Sequence, residues 1–219
     1  MVDVPYPPPP RVANDKNLCP SGVEFKPLSE IFEIRNGYTP SKANKEFWDE
    51  GNVPWFRMED IRKNGRILSD SIGHATPKAV KGKLFCANSI IMATTATIGE
   101  HALITVDFLA NQQFTILHLN DEYKHKILPK FAYFYCYILA DLCRKNVNTS
   151  AFSAVNMTSF KNFMFPIIPL SIQRQIVDIL DKLEKFVASL QEGLPAEIEA
   201  RRKQYEYYRE KLLTFEQAK

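Results

Sequence analysis

The amino-acid sequence predicts an α+β protein, in which a globular domain with a mixed or antiparallel sheet precedes a long amphipathic helical region. Short β-branched segments separated by turn signals indicate strands between residues 31 and 119. An apolar, aromatic segment from Pro129 to Arg144 indicates a buried helix. After residue 170, apolar side chains recur at three- and four-residue spacing, as in amphipathic helices. We therefore divide the chain into a Pro-rich leader (1–20), a globular domain (21–170) and a helical region (171–219).

The strands expected in the globular domain are short and lie between turn signals. Asn36-Gly37 and Asn64-Gly65 are turn dipeptides of this kind. A further short helix is expected at Thr158–Phe163, before a Pro-bounded segment that leads into the helical region. The segments that alternate or are rich in β-branched residues are 31–35, 53–56, 89–94, 101–106 and 113–119.

The helical region contains two amphipathic segments, each with one apolar stripe. Gly193 suits the end of the first segment and Pro195 the first turn of the second, so we predict a kink there, with a hairpin as the alternative. Such stripes need a partner surface, either on another chain or on the globular domain of the same chain. The predicted interface residues are Ile172, Ile176, Ile179, Leu183, Phe186 and Leu190 in the first segment, and Ile198, Tyr205, Tyr208 and Leu212 in the second.

The composition favours a cytoplasmic protein. The chain of 219 residues is 45% hydrophobic, which is enough for a sizeable core, and it contains no apolar run long enough to span a membrane. Its beginning is rich in proline and lacks the apolar core of a signal peptide. The four cysteines form no Cys-x-x-Cys pair, so reduced thiols are expected.

The distribution of charge favours nucleic acid over membrane as a partner. The net charge of +3 is too small to identify a partner by itself. Basic residues nevertheless cluster between residues 62 and 83 and again between 124 and 161, and no basic amphipathic helix accompanies them. The alternative is an ordinary solvated surface.

Polar loops of the globular domain supply the side chains that contact phosphates and base edges. Each feature has a structural alternative: Trp55 as a core residue, Asn111 as a turn residue, and the Thr94–Thr97 run as a half-buried strand. The candidate DNA-binding residues are Thr39, Ser41, Lys42, Arg57, Arg62, Lys63, Lys81, Lys83, Thr94, Thr95, Asn111, Gln112, Asn148 and Ser150.

Motifs of enzymes are missing from the sequence. No Gly-x-Gly-x-x-Gly or Gly-Lys-Ser/Thr loop is present, and the four histidines lack metal-ligand spacing. No catalytic residue and no metal site are therefore predicted. The remaining enzymatic alternative is a nuclease that uses Glu59 and Asp60 with Lys63.

Several motifs, in order along the chain, resemble the specificity subunit of type I restriction–modification systems. The match extends over about residues 19 to 215. The pieces that carry it are Cys19–Glu24, Leu28–Ile31, Asn36–Lys42, Phe47-Trp48, Val53–Trp55, Ile98-Gly99, Asn111–Phe114, Asn156-Met157, Ile168–Leu170, Gln173, Gln175–Val177, Ile179–Asp181, Leu194–Glu199 and Arg209–Leu213.

The resemblance implies a non-catalytic protein that recognises a bipartite DNA sequence and holds methyltransferase subunits on it. Through these subunits it would also associate with the restriction and translocase subunit. It implies no cofactor in this chain, since S-adenosylmethionine would bind to the methyltransferase. The residues 21–170 would be a target recognition domain, and the helices would pair as an antiparallel coiled coil that sets the gap between half-sites.

The sequence departs from the family pattern in having one recognition domain and one helical region, where members usually have two. This favours a half-size subunit that forms a symmetric homodimer and reads a palindromic bipartite target. A truncated fragment that acts as an interaction scaffold or competitor is the alternative.

Overall fold

The computed structural model describes residues 22–148, 153–189 and 195–215. The chain divides into a larger unit, Lys26–Phe165, and a helical unit whose described part comprises residues 22–25 with the described residues from Pro166 onward. The predicted leader at 1–20 lies outside the described residues. In these residues no helix is long and apolar enough to cross a membrane.

The strands of the described residues are β1 (Glu24–Pro27), β2 (Phe32–Asn36), β3 (Val53–Phe56), β4 (Ile67–Leu68), β5 (His74–Ala75), β6 (Ser89–Ala93), β7 (His101–Ile104), β8 (Leu109–Ala110), β9 (Phe114–Leu119), β10 (Val147–Asn148), β11 (Ala154–Val155) and β12 (Met164–Ile167). The helices are α1 (Leu28–Ile31), α2 (Met58–Asn64), α3 (Pro129–Lys145), α4 (Met157–Lys161), α5 (Leu170–Ser189) and α6 (Pro195–Leu213). The chain passes between the two units within β1 and β12.

The principal sheet of the larger unit has the strand order β2-β9-β6-β7-β4. Its pairs are antiparallel except for β4 and β7, which are parallel. A second sheet of order β5-β3-β8 is mixed as well, because β3 is antiparallel to β5 and parallel to β8. The expected α+β class with a mixed sheet is confirmed.

Both faces of the principal sheet are covered. All five residues of β6 are buried, although successive side chains of a strand point to opposite faces. Helix α3 covers one face, where the Cys143 thiol lies 3.7 Å from the Met92 sulfur. The opposite face carries a cluster that includes Phe56, Phe108 and Phe114. A sheet covered in this way holds its connecting loops in defined positions.

The principal secondary-structure predictions agree closely with the structure. Strand β3 has the predicted bounds, and α3 extends one residue further than predicted. Helix α4 begins earlier than predicted because the Asn156 side chain accepts the Ser159 backbone N–H at 3.0 Å and caps it. Helix α2 and the two-residue strands β4, β5 and β8 were not predicted.

Helices α5 and α6 lie antiparallel in the helical unit. The Tyr205 hydroxyl donates to Glu184 at 2.9 Å, and the Arg201 guanidinium lies 5.3 Å from the centre of the Phe186 ring. The residue that comes earlier in α6, Arg201, contacts the residue that comes later in α5, Phe186. The two helices therefore run in opposite directions. The structure thus contains the hairpin, the alternative to a kink.

The apolar stripes are largely buried within the single chain. Ile172, Ile176, Tyr205 and Leu212 are buried without another chain. Ile179, Leu183 and Tyr208 are half-buried, whereas Phe186 is 45% exposed. Leu190 lies outside the described residues, and nothing is described of the Ile198 side chain.

Candidate nucleic-acid interface

Two loops meet beside the end of β2 because a glycine lets their backbones approach. The backbone N–H of Gly37 donates to Phe114 at 2.9 Å, and that of Tyr38 donates to Ala110 at 2.7 Å. A Cβ atom on Gly37 would lie 2.2 Å from the Asn111 carbonyl oxygen. The position therefore excludes every side chain, and it fixes the loop after β2 against the loop between β8 and β9.

Two candidate residues from different loops meet at this junction. The Thr39 hydroxyl donates to the side-chain oxygen of Gln112, and Gln112 is exposed. Asn111 has a turn-forming role, since its side-chain oxygen accepts the Gln113 N–H at 3.1 Å and its amide donates to the Gln113 side chain at 3.2 Å. The structural alternative is thereby supported for Asn111, while Thr39 and Gln112 form one polar pair at the surface.

The loop after β2, which carries Thr39, also supplies Lys42 to an aromatic and basic cleft of about 330 Å³. The Trp48 and Trp55 rings lie 4.8 Å apart in an edge-to-face arrangement. Trp55 is only 5% exposed, so the core interpretation of this residue is confirmed. Its indole N–H donates to the Tyr38 carbonyl at 3.3 Å. The lining residues are Lys42, Lys45, Trp48, Asp49, Trp55 and Arg57.

The Arg57 side chain is held on the wall of the cleft. Its guanidinium lies 5.3 Å from the centre of the Trp55 ring, within the range of a cation–π contact. Its Nη2 atom is 3.4 Å from a carboxylate oxygen of Glu59. The Nε atom is buried and has no hydrogen-bond partner among the described residues. The terminal edge of the guanidinium is consequently the part that remains available to a ligand.

Glu59 lies between two cations. Its other carboxylate oxygen is 2.6 Å from the Lys63 ammonium, in addition to the contact with Arg57. The hydrogen bond from Lys63 is the main cause that holds the pKa of Glu59 below its usual value, and the charges of Lys63 and Arg57 add to it. The carboxylate is therefore ionised at neutral pH and acts only as an acceptor.

Asp60 has a structural role, which removes the nuclease alternative. Its side chain is fully buried, and its two oxygens accept the backbone N–H groups of Arg57 and Ile72, each at 2.6 Å. Because the Asp60 side chain is fully buried and both oxygens are directed at backbone N–H groups, it is not exposed to hold a metal ion beside Glu59. No group of three His, Cys, Asp or Glu side chains in the described ranges is placed to hold a metal ion.

Several other basic and polar candidates are exposed. The Lys81 ammonium lies 5.4 Å from the centre of the Tyr38 ring, and its backbone N–H donates to the Tyr38 hydroxyl at 2.8 Å. The remaining exposed candidates are Ser41, Lys42, Arg62, Lys63 and Lys83. The structure thus brings Lys42 and Arg57 into one cleft and Lys63 into contact with Glu59.

The prediction that Thr94 contacts DNA is wrong. Thr94 is 6% exposed, and its hydroxyl donates to the Thr115 hydroxyl at 2.9 Å, which in turn donates to Asn36 at 3.1 Å. Thr95 is half-buried and forms a bridge with Ala154. The run is partly buried but is not a strand, because β6 ends at Ala93 and Thr95 forms only an isolated bridge. The Asn148 side chain and Ser150 lie outside what the structure describes.

The family can now be identified from the sequence match. Residues 20–200 match the family model of the type I restriction modification DNA specificity domain. The chain belongs to this family. It is 52% identical over 203 residues to the specificity subunit of the type I restriction enzyme EcoprrI from Escherichia coli, a match that covers 89% of this chain and 51% of that protein. It is 39% identical over 206 residues to the EcoR124I/EcoR124II specificity subunit from the same species, covering 88% and 48%.

Solved structures agree with the specificity-domain fold. The HsdS subunit from Thermoanaerobacter tengcongensis superposes with a TM-score of 0.59 at 17% identity, over 97% of this chain and 47% of that chain. The S subunit from M. genitalium gives 0.57 at 15% identity, over 84% and 44%. The chain spans about half the length of the curated relatives and solved chains that it matches.

Three residues that line this specificity-domain cleft, Lys45, Trp48 and Asp49, were missed by the sequence analysis as candidates. Glu59, which contacts Arg57 on the wall of the cleft, was missed as well. Lys45 and Trp48 lie on a single 3₁₀ turn and its C-terminal cap, where the Asn44 side chain accepts the Glu46 N–H at 3.1 Å. Glu59 was considered only as a nuclease carboxylate. The available signal was the Trp-and-Lys composition of residues 42 to 48, which resembles the basic and aromatic surfaces that bind nucleic acids.

Proposed function

We propose that this chain is the DNA sequence-recognition part of a type I restriction–modification specificity subunit and has no catalytic residue of its own. The observation that carries the proposal is the cleft of Trp48, Trp55, Lys42 and Arg57, whose Lys42 lies on the same loop as Thr39 of the polar Thr39–Gln112 pair. It combines cations for phosphates with donors and acceptors for base edges. The membership of the specificity-domain family supports the same function.

Two copies of the chain would form the working subunit. The relatives are about twice as long as the matched region, so a symmetric pair would supply two recognition units. The helical units would form the dimer contact and bind methyltransferase subunits, which would carry S-adenosylmethionine and recruit the restriction and translocase subunit. The complex would act on DNA in the cytoplasm. Two identical recognition units would read a palindromic bipartite target.

The direct test is a map of modified adenines. The chain would be co-expressed with the methyltransferase subunit of its own system in a host that lacks both, and the methylated positions would be read by single-molecule sequencing. We expect one bipartite palindromic motif with a fixed gap. Co-purification of the two proteins without any modification would contradict the proposal and favour a competitor scaffold. Methylation or cleavage by the purified chain alone would indicate an enzyme.

Phe186→Glu should convert the dimer into a monomer. Phe186 is the most exposed large apolar residue among the stripe positions whose side chains the structure describes, and a carboxylate at that place would prevent its burial against another copy. The mass in solution, measured by light scattering, checks this result. Gln175→Glu is the matched control, since it adds the same charge at an exposed position of α5. A Phe186→Glu protein that stays dimeric would place the dimer contact elsewhere.

A further inference from the structure

We propose that Arg57 and Glu59 act as one reading element for a single G·C base pair, with Arg57 on the guanine and Glu59 on the cytosine. The assignment rests on the proposed function, because it names the base pair that this part of the cleft recognises. It also gives Glu59 a role as a specificity-determining residue, whereas DNA-binding surfaces are usually assigned by their basic residues alone.

The position of Arg57 leaves only one edge of its guanidinium for a ligand. Trp55 lies beneath the guanidinium at 5.3 Å from the ring centre, and the Nε atom is buried. The Nη1 and Nη2 atoms form the free edge, and the side chain is about one-third exposed, at 34%. Two parallel donors of this kind match the adjacent O6 and N7 acceptors of guanine in the major groove.

Glu59 places an acceptor directly beside that donor edge. One of its oxygens is 3.4 Å from Arg57 Nη2, while Lys63 binds the other oxygen at 2.6 Å. Each carboxylate oxygen has more than one lone pair, so the oxygen that faces Arg57 can still accept a second hydrogen bond. The contact with Lys63 restricts the carboxylate and keeps it ionised.

The spacing of this donor and acceptor matches the edge of a G·C pair. Guanine O6 and cytosine N4 are hydrogen-bonded to each other, which puts them about 2.9 Å apart. If Arg57 Nη2 donates to guanine O6, the neighbouring Glu59 oxygen lies opposite the cytosine N4 amino group. The distance of 3.4 Å between Nη2 and that oxygen is close to the distance between O6 and N4.

The same arrangement disfavours A·T and C·G by repulsion. In these pairs an amino donor, adenine N6 or cytosine N4, faces the Arg57 donor, and an acceptor, thymine O4 or guanine O6, faces the Glu59 carboxylate. T·A opposes neither group, but thymine has a C5-methyl group in place of the second acceptor, so T·A can satisfy only one of the two Arg57 donors. Arg57 and Glu59 can thus reject A·T and C·G by repulsion, without a contact from any further residue.

The test compares variants in the complex with the cognate methyltransferase subunit, by selection from a randomised DNA library followed by sequencing. For Arg57→Ala, we expect the preference for G·C at one position of each half-site to fall roughly 5- to 150-fold, while other positions are retained. Arg57→Lys keeps the charge but loses the fork, so it should relax the same position while the salt dependence of binding stays that of the wild type.

Glu59→Gln gives a distinctive result. The glutamine amide can turn its N–H group toward thymine O4, which removes one of the two repulsions against A·T while the repulsion between Arg57 and adenine N6 remains. The same position should therefore bind A·T roughly 5- to 10-fold better than the wild-type complex does, and G·C should stay preferred. The charge-matched control for Arg57→Ala is Arg62→Ala, which removes one exposed cation from α2 and should weaken all sequences equally. Thermal melting of each variant confirms that it is folded.

Two outcomes would overturn the assignment, and they are distinguishable. If the wild-type complex selects a motif and the Arg57 and Glu59 variants select the same motif, with only a shallower salt dependence for Arg57→Ala, Arg57 contacts phosphate and the G·C reading is wrong. If the wild-type complex selects no motif, the proposed function fails, and the assignment fails with it.

Discussion

Gly37→Ala should destabilise the larger unit by about 3 kcal/mol or more, at the upper end of the range for overpacked sites. The added Cβ atom would lie 2.2 Å from the Asn111 carbonyl oxygen and 2.6 Å from that of Ala110, and both are backbone atoms that cannot rotate away. The loops that carry Thr39 and Gln112 would have to separate. Urea denaturation measures the loss, and the affinity for DNA should fall at the same time.

Gly73→Ala is the matched control for this substitution. A Cβ atom there would meet the Arg57 Nη2 atom at 3.6 Å, which is an ordinary van der Waals distance. We therefore expect a change of less than about 1 kcal/mol, since a compatible Gly→Ala substitution also reduces the entropy of the unfolded chain. Equal stability of the Gly37→Ala and wild-type proteins would show that the two loops are not in tight contact.

Asp60→Ala should be similarly destabilising and should also impair recognition. The substitution leaves the backbone N–H groups of Arg57 and Ile72 without their charged acceptor, and hydrogen bonds to charged groups contribute about 1.5–3 kcal/mol each. The total loss should be about 3 kcal/mol or more by denaturation. Because one of these bonds fixes the Arg57 backbone, the specificity at the Arg57 position should weaken in the fraction that stays folded.

Asp70→Ala is the comparison that separates the effect of burial from the effect of losing two hydrogen bonds. Asp70 also accepts two hydrogen bonds, from the Ser71 N–H at 2.8 Å and His74 at 2.7 Å, and these bonds lower its pKa. Its side chain is, however, 69% exposed, so water replaces the lost partners. We expect a loss below about 1 kcal/mol. An Asp60→Ala protein no less stable than Asp70→Ala would refute the structural role of Asp60.

The sequence predicts those elements whose local pattern agrees with their tertiary surroundings. Strand β3 and helix α3 are long or apolar enough to be identified by periodicity alone. The two-residue strands β4, β5 and β8 contain too few residues for any period, and they exist because neighbouring strands pair with them. Helix α2 contains Met58 and Ile61 among charged residues, so its pattern resembled that of a basic loop.

The candidate site was predictable in composition but not in arrangement. Arg57 and Lys42 were predicted from their type and loop position, and the structure places both in the cleft. The pairing of Thr39 with Gln112 joins residues that are 73 positions apart, and no local pattern encodes it. Thr94 was misassigned because its polar side chain gave no indication that the position directly after β6 is buried.

The strand order of the principal sheet has a consequence for the chain as it is synthesised. Asn36 of β2 lies opposite Thr115 of β9, a partner 79 residues later in the chain. A ribosome that adds about 5–20 residues per second needs roughly 4–16 s to produce that partner. During this interval β2 has no neighbour in the sheet, so the nascent chain presents an open strand edge until β9 emerges. Slower translation after residue 36 would lengthen the period in which that edge can pair with another chain.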